Sequence, residues 1–136
     1  MAGKIGGKGR RQKGQQGERE FFNLLNQFLP ARLQLRRHLG QERDSGADGG
    51  TEFCAIEVKR QETLNLPGWL KQARESALPQ QTAVVAYRRN GEKWQILVDM
   101  DMAQFAAWLK YRINLMEAED KLRGGVSYGA GTKLKI

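Results

Sequence analysis

One cysteine, one histidine and three prolines stand among the 136 residues, and the first two scarcities each remove a class of chemistry. Cys54 alone closes no internal disulfide, which fits a reducing compartment. With His38 the only imidazole, histidine-based metal centres and histidine acid–base pairs cannot be assembled within one chain. Long hydrophobic runs are missing too. The most apolar stretches, residues 21–29 and 102–109, are too short and too interrupted to cross a bilayer, and no apolar leader core lies near the first residue. No membrane association is expected, and a cytoplasmic location is. A glycine-rich phosphate loop of the form that binds ATP is also absent, so no nucleotide cofactor is expected.

Acidic residues are absent from the first 16 positions, which carry Lys4, Lys8, Arg10, Arg11 and Lys13. The other 120 residues hold 18 basic and 15 acidic side chains, so most of the formal charge of +8 belongs to this segment. A basic, glycine-rich stretch without apolar periodicity reads as a flexible arm attracted to polyphosphate, and hence to nucleic acid. The length suits one domain, and 40% hydrophobic content suffices for a compact core. The expected organisation is an arm over 1–16, a folded domain over 17–122 and a glycine-rich tail over 123–136.

Helical periodicity begins at Gly17, with Phe21, Leu24, Leu25, Phe28 and Leu29 on one stripe ahead of Pro30. Residues 32–38 alternate Leu33 and Leu35 with polar neighbours and predict a strand, followed by turn-forming residues at 43–50. Residues 52–60 predict a second strand, and Pro67 opens a helix running to about Ala77. Residues 82–87 are β-branched and apolar. Asn90-Gly91 ahead of Trp94, Ile96 and Val98 signals a hairpin. Asp99 or Asp101 can cap a last helix through about Met116, and a terminal strand over 132–136 is possible. Helix, strands, helix, strand pair, helix is the order of an α/β sheet carrying helices.

Alternation along 53–59 sends Cys54, Ile56 and Val58 to one face, and Phe53, Ala55, Glu57 and Lys59 to the other. A carboxylate and an ammonium therefore project together from a strand with core-like neighbours, where charge is costly unless paired or bound to metal. Asp48 precedes Gly49-Gly50, and a tight turn there returns the chain so that Asp48 lies beside Glu57. A divalent cation resolves the repulsion between them, and magnesium suits hard oxygen ligands while keeping water for chemistry. Lys59 can orient or activate a water and stabilise charge developing on phosphorus. Glu18, three residues before Phe21 on the same helical stripe, is a candidate third carboxylate, or else a complement to the helix dipole. Glu20 is expected to be solvated. Gln72, one turn after Trp69, can hydrogen-bond a phosphate or the attacking water, or be an ordinary helix residue. Cys54 faces the core and is not expected to be a nucleophile.

Gly46-Ala47-Asp48, then IEVKR at 56–60, with Glu18 inside KGQQGEREF at 13–21, resembles the PD-(D/E)xK nuclease superfamily. Within it the chain looks like archaeal Holliday junction resolvases and small phage-encoded resolvase-like nucleases, with LPGWLKQA at 66–73 and AVVAYRRNGEKWQI at 83–96 similar to the phage branch. The resemblance spans about residues 13–109. It implies a restriction-endonuclease-like core, a mixed sheet flanked by helices, and Mg²⁺ dependence with Mn²⁺ able to substitute. Asp48, Glu57 and the Val58 carbonyl would ligate the metal with help from Glu18, and Lys59 would serve the nucleophile. DNA contacts would come from the basic arm and Arg60. Ala47 stands where the family's leading proline would be, and the interval from Asp48 to Glu57 is short, which leaves Asp44 as a rival ligand.

A junction resolvase cuts two strands symmetrically and calls for a homodimer. The last helix offers a surface, with Phe105, Ala106, Leu109 and Ile113 in one stripe and Trp108, Tyr111 and Leu115 widening it. The expected partner is branched DNA, in the host cytoplasm if the chain is phage-encoded. The competing readings are a general phage DNA nuclease without junction preference and a non-catalytic basic nucleic-acid-binding protein.

Overall fold

The computed structural model describes residues 7–38 and 46–124, with the backbone alone for residues 7–13. It contains helix α1 (Gly7–Gln27), a 3-10 turn at Ala31–Leu33, strands β1 (Gly49–Gly50) and β2 (Cys54–Arg60), helix α2 (Leu66–Ser76), strands β3 (Thr82–Arg88) and β4 (Gln95–Val98), and helix α3 (Met102–Leu122). The sheet order is β1-β2-β3-β4, antiparallel at both outer pairs and parallel between β2 and β3. The fold is therefore α/β with a mixed sheet. The parallel pair needs a crossover, and α2 supplies it.

Each face of the sheet buries one helix. Ile56 and Val58 of β2 and Val84 and Ala86 of β3 pack with Phe21 and Phe22 of α1. The alternate residues Ala83 and Val85 pack with Trp69 and Ala73 of α2. Small residues on β3 let both helices come close. Asn65 caps α2 by accepting the Gly68 N–H at 3.2 Å, and Pro67 fills the first turn, where its missing donor costs nothing. Arg74 of α2 grips Asp99 after β4 through two hydrogen bonds of 3.0 and 2.9 Å, which holds the Asp99 carboxyl below its ordinary range.

Several elements depart from expectation. Helix α1 starts at Gly7, not Gly17, so much of the expected flexible arm is helical. Once Phe21, Phe22 and Leu25 dock, the strong helix formers Arg10, Arg11, Gln12, Lys13, Gln15 and Gln16 extend the helix outward at little cost. The buried stripe is Phe21 and Phe22 with Leu25 behind them. Phe28 lies beyond the helix end and is exposed, as is Leu24. Residues 32–38 do not form a strand. Their first part is the 3-10 turn, and their pairing reduces to one bridge, Arg37 with Gly49. The reason is local: the Asn26 side chain donates to the Leu35 carbonyl at 2.7 Å and accepts its N–H at 2.8 Å, taking the place of a strand partner.

The described residues from Met100 onward form a unit of their own. Within it Asp101, not Asp99, caps α3, in a reciprocal capping box with Gln104. The helix runs to Leu122, six residues past Met116. None of its residues is buried, and Phe105, Trp108, Tyr111 and Leu115 are exposed. The expected tail beyond 124 and the strand over 132–136 lie outside the described residues. Among the described residues no helix is long and apolar enough to cross a membrane.

Candidate active site

The site grows from a hairpin of two glycines. Gly49 pairs with Ile56 and Gly50 with Ala55, so the next step outward sets Asp48 opposite Glu57. The glycines are thus the strand itself, not the turn expected of them. The turn is Thr51 to Cys54, closed by the Thr51 N–H on the Cys54 carbonyl at 2.8 Å. Both glycines are required. A methyl group on Gly49 would fall on the Phe22 ring, and one on Gly50 would meet the Cys54 carbonyl, where φ is +141°.

Asp48 does not simply approach Glu57; it enters the sheet. Its Oδ2 accepts the Val58 N–H at 2.8 Å, so a side chain takes the position of a backbone acceptor at the sheet edge. A residue's N–H and C=O point to the same side of a strand, and the Val58 carbonyl therefore faces the same edge as the Asp48 carboxylate. From the other side His38 fixes the Asp48 backbone. Its N–H donates to the Asp48 carbonyl at 2.6 Å, and its Nδ1 lies 2.9 Å from the Ala47 carbonyl. The sole histidine is half-buried against the backbone of Ala47 and Asp48.

Asp48 is 8% exposed and Glu57 4%. Burial first, then the Asp48 charge and a hydrogen bond with Asp48, push the Glu57 carboxyl up to about 7, while the Ser76 hydroxyl and the Lys59 ammonium pull it down. Lys59, two residues on along β2, is close enough for its charge to act on Glu57. Three of the expected residues are therefore brought together: Asp48, Glu57 and Lys59, with the Val58 carbonyl alongside.

Glu18 does not join Asp48 and Glu57 in a three-residue metal-binding cluster among the described residues. It is buried, at 2% exposure, on the α1 face of the sheet, whereas Glu57 accepts from Ser76 on the α2 side. Arg37 Nη1 lies 3.7 Å from Glu18 and donates to the Gln15 carbonyl at 3.0 Å. Helix phasing correctly turned Glu18 inward. Among the described residues no three acidic, histidine or cysteine side chains converge on one point.

Gln72 is exposed on α2 one turn before Ser76. Ser76 itself was missed, although it lies seven residues after Trp69 on the helical stripe that carries Ala73. Arg60 is ion-paired with Glu20 at 3.3 Å, and Arg88 reaches the same carboxylate at 2.6 Å. Glu20 is thus the centre of a half-buried charge cluster, not a solvated residue, and Arg60 spends its charge within the fold. Lys8, Arg10, Arg11 and Lys13 lie on α1 with side chains outside the description, and Lys4 and Asp44 lie outside the described residues altogether. Burial raises the Cys54 thiol above its ordinary value, which keeps it protonated and unreactive.

A cavity of about 960 Å³ adjoins the site around the β1 edge. Its wall includes Ala47, Gly49 and Ser76, the neighbours of Asp48 and Glu57, but not those carboxylates themselves. Comparison of the chain with protein-family models, with curated proteins and with solved structures found no match.

Proposed function

We propose that the chain is a divalent-metal-dependent nuclease that hydrolyses phosphodiester bonds in DNA. The observation that carries the reading is the meeting of the Asp48 and Glu57 carboxylates at a sheet edge, with Lys59 next on the Glu57 face. Two buried acids in contact fit a cation better than they fit each other, and the Val58 carbonyl adds a third hard oxygen on the same edge. Two carboxylates are what magnesium takes from many proteins, the rest of its shell being water and substrate phosphate. Asp48, Glu57 and Val58 would hold it. When bound, such an ion supplies Lewis-acid activation of the phosphoryl group and a more acidic water.

The chain's own residues would do the rest. The Val58 N–H fixes one Asp48 oxygen, and Ser76 fixes Glu57. Lys59 would orient the attacking water and donate to the phosphoryl oxygens as charge builds on them. Glu18, held on the α1 face, supports the site from outside the ligand set. Preference for branched DNA and the two-fold dimer it requires rest on the resemblance to junction resolvases.

Incubating labelled four-way junction, linear duplex and single-stranded DNA with the protein in Mg²⁺, Mn²⁺ or EDTA tests these points together. Cleavage should need metal and favour the junction, and Lys59→Ala should lower it by at least a hundredfold, in the range of a lost acid–base or charge-stabilising group. Metal-independent cleavage, or none of any substrate, would defeat the reading.

A further inference from the structure

The cavity beside the site has a charge character of its own. Among the described residues its wall carries Arg19, Arg36, Arg37 and His38 and no carboxylate. Phe22 lies buried beneath it, with Leu35 and Leu78 at the sides. Three of the four amides that line it among the described residues are committed to the fold. Asn26 is bonded to Leu35, Gln34 donates to the Asn26 and Leu29 carbonyls, and Gln81 donates to the Thr51 carbonyl while accepting the Leu78 N–H. Arg37 is held by Glu18 and Gln15.

What the wall keeps for a ligand is Arg19, Asn23 and Arg36. Arg19 and Asn23 are four residues apart on α1 and share one face of the helix, and both are exposed. Arg36, between the Leu35 anchor and Arg37, is exposed and lines the same groove. Neither Arg19 nor Arg36 forms an ion pair with a described residue. Two guanidinium groups without an ion-pair partner among the described residues, and an amide, thus flank a groove that opens beside two carboxylates. An anion with a single charge has no reason to prefer it to the surrounding acids. A chain of phosphates does, because it can place successive charges on the arginines while one phosphate meets Asp48 and Glu57 through a cation.

We propose that this groove binds the phosphodiester backbone of the nucleic-acid strand next to the scissile bond, with Arg19 and Arg36 each contacting a phosphate and Asn23 beside them. The proposal rests on the nuclease reading of the adjoining carboxylates and adds the path of the substrate strand. These are positions distinct from the basic residues of the first 16.

Salt dependence separates this groove from the arm. Each phosphate contact adds about 0.9 to the log–log slope of binding against salt for duplex DNA and about 0.7 for a single strand. Between 50 and 200 mM salt, losing two contacts should therefore flatten the decline of affinity by roughly twelvefold for duplex or sevenfold for a single strand. The experiment measures binding of a labelled oligonucleotide, in single-stranded and hairpin-duplex form, by fluorescence anisotropy in EDTA. It uses the full chain, its R19A/R36A variant, and R89A as a control for general charge loss, since Arg89 pairs with Glu92 away from the groove. The groove is supported if R19A/R36A lowers the slope by about two for duplex DNA while R89A leaves it nearly unchanged. It is overturned if the two variants behave alike, or if R19A/R36A matches the parent. Because binding is read without metal or turnover, an inactive protein with the predicted slope change would sink the nuclease reading and keep the groove. Full cleavage with an unchanged slope would do the reverse. Circular dichroism confirms that each variant is folded.

Discussion

Replacing Glu57 with Gln should stabilise the metal-free protein at pH 8 and leave it little changed at pH 4.5. The Glu57 carboxyl is 4% exposed and faces Asp48, and its proton is held up to about 7 from an ordinary 4.5. The folded state therefore binds this proton more tightly than the unfolded chain. That advantage is whole below about pH 4.5 and is lost as pH climbs through about 7, so stability falls across this window. A rise from 4.5 to about 7 corresponds to about 3 kcal/mol at most, a large share of what a domain this size possesses. Glutamine keeps the shape and the acceptor for Ser76 but carries no charge at any pH. Urea denaturation in EDTA at pH 5, 6, 7 and 8 reads the difference between parent and variant, which cancels other titrating groups common to both. The parent curve should drop away from that of Glu57→Gln by about 3 kcal/mol by pH 8. Saturating Mg²⁺ at pH 8 should then recover stability in the parent, by about 1.4 kcal/mol at ten times Kd, and recover less in the variant. Parallel curves from pH 5 to 8 would refute the buried pair, and with it the electrostatic case for a cation.

Gly50→Ala should cost more than 2 kcal/mol and depress cleavage, because the methyl meets the Cys54 carbonyl at φ +141° and must displace the strand that carries Asp48; Gly91→Ala, also at positive φ but with open space around it, should cost only about 1 kcal/mol and spare activity, as thermal melts and a cleavage assay would show. Glu20→Gln leaves Arg60 and Arg88 facing each other with no anion between them. It should destabilise by about 1–3 kcal/mol, and a double-mutant cycle with Arg60→Gln should recover part of that loss; additive effects would show that the cluster is not coupled.

What could be read from the sequence was whatever depends on one element at a time. Strand parity put Glu57 and Lys59 on the face opposite Ile56 and Val58, and the structure keeps that division because a two-residue period leaves no other choice. The start of α2 at Pro67 and the hairpin near Asn90-Gly91 were legible for the same reason, each being settled within a few residues, while the cap of α3 was narrowed to Asp99 or Asp101, of which Asp101 serves. The errors fall where two elements meet. Glu20 looked solvated because its partners Arg60 and Arg88 lie 40 and 68 positions away, at the ends of two strands that only the parallel pairing brings side by side. The segment 32–38 alternated like a strand, but alternation states a preference for extended chain and not that a partner exists; Asn26 supplied one with a side chain. The Gly49-Gly50 pair shows the same divide most sharply. Its role in returning Asp48 to Glu57 was legible, but the reason two glycines are needed lies in the Phe22 ring on one side and the Cys54 carbonyl on the other. Asp48 thus reaches Glu57 only because α1 already presses against the hairpin. The acidic pair and the helix core should form together, and a substitution that loosens Phe22 should weaken the site without touching a single residue in it.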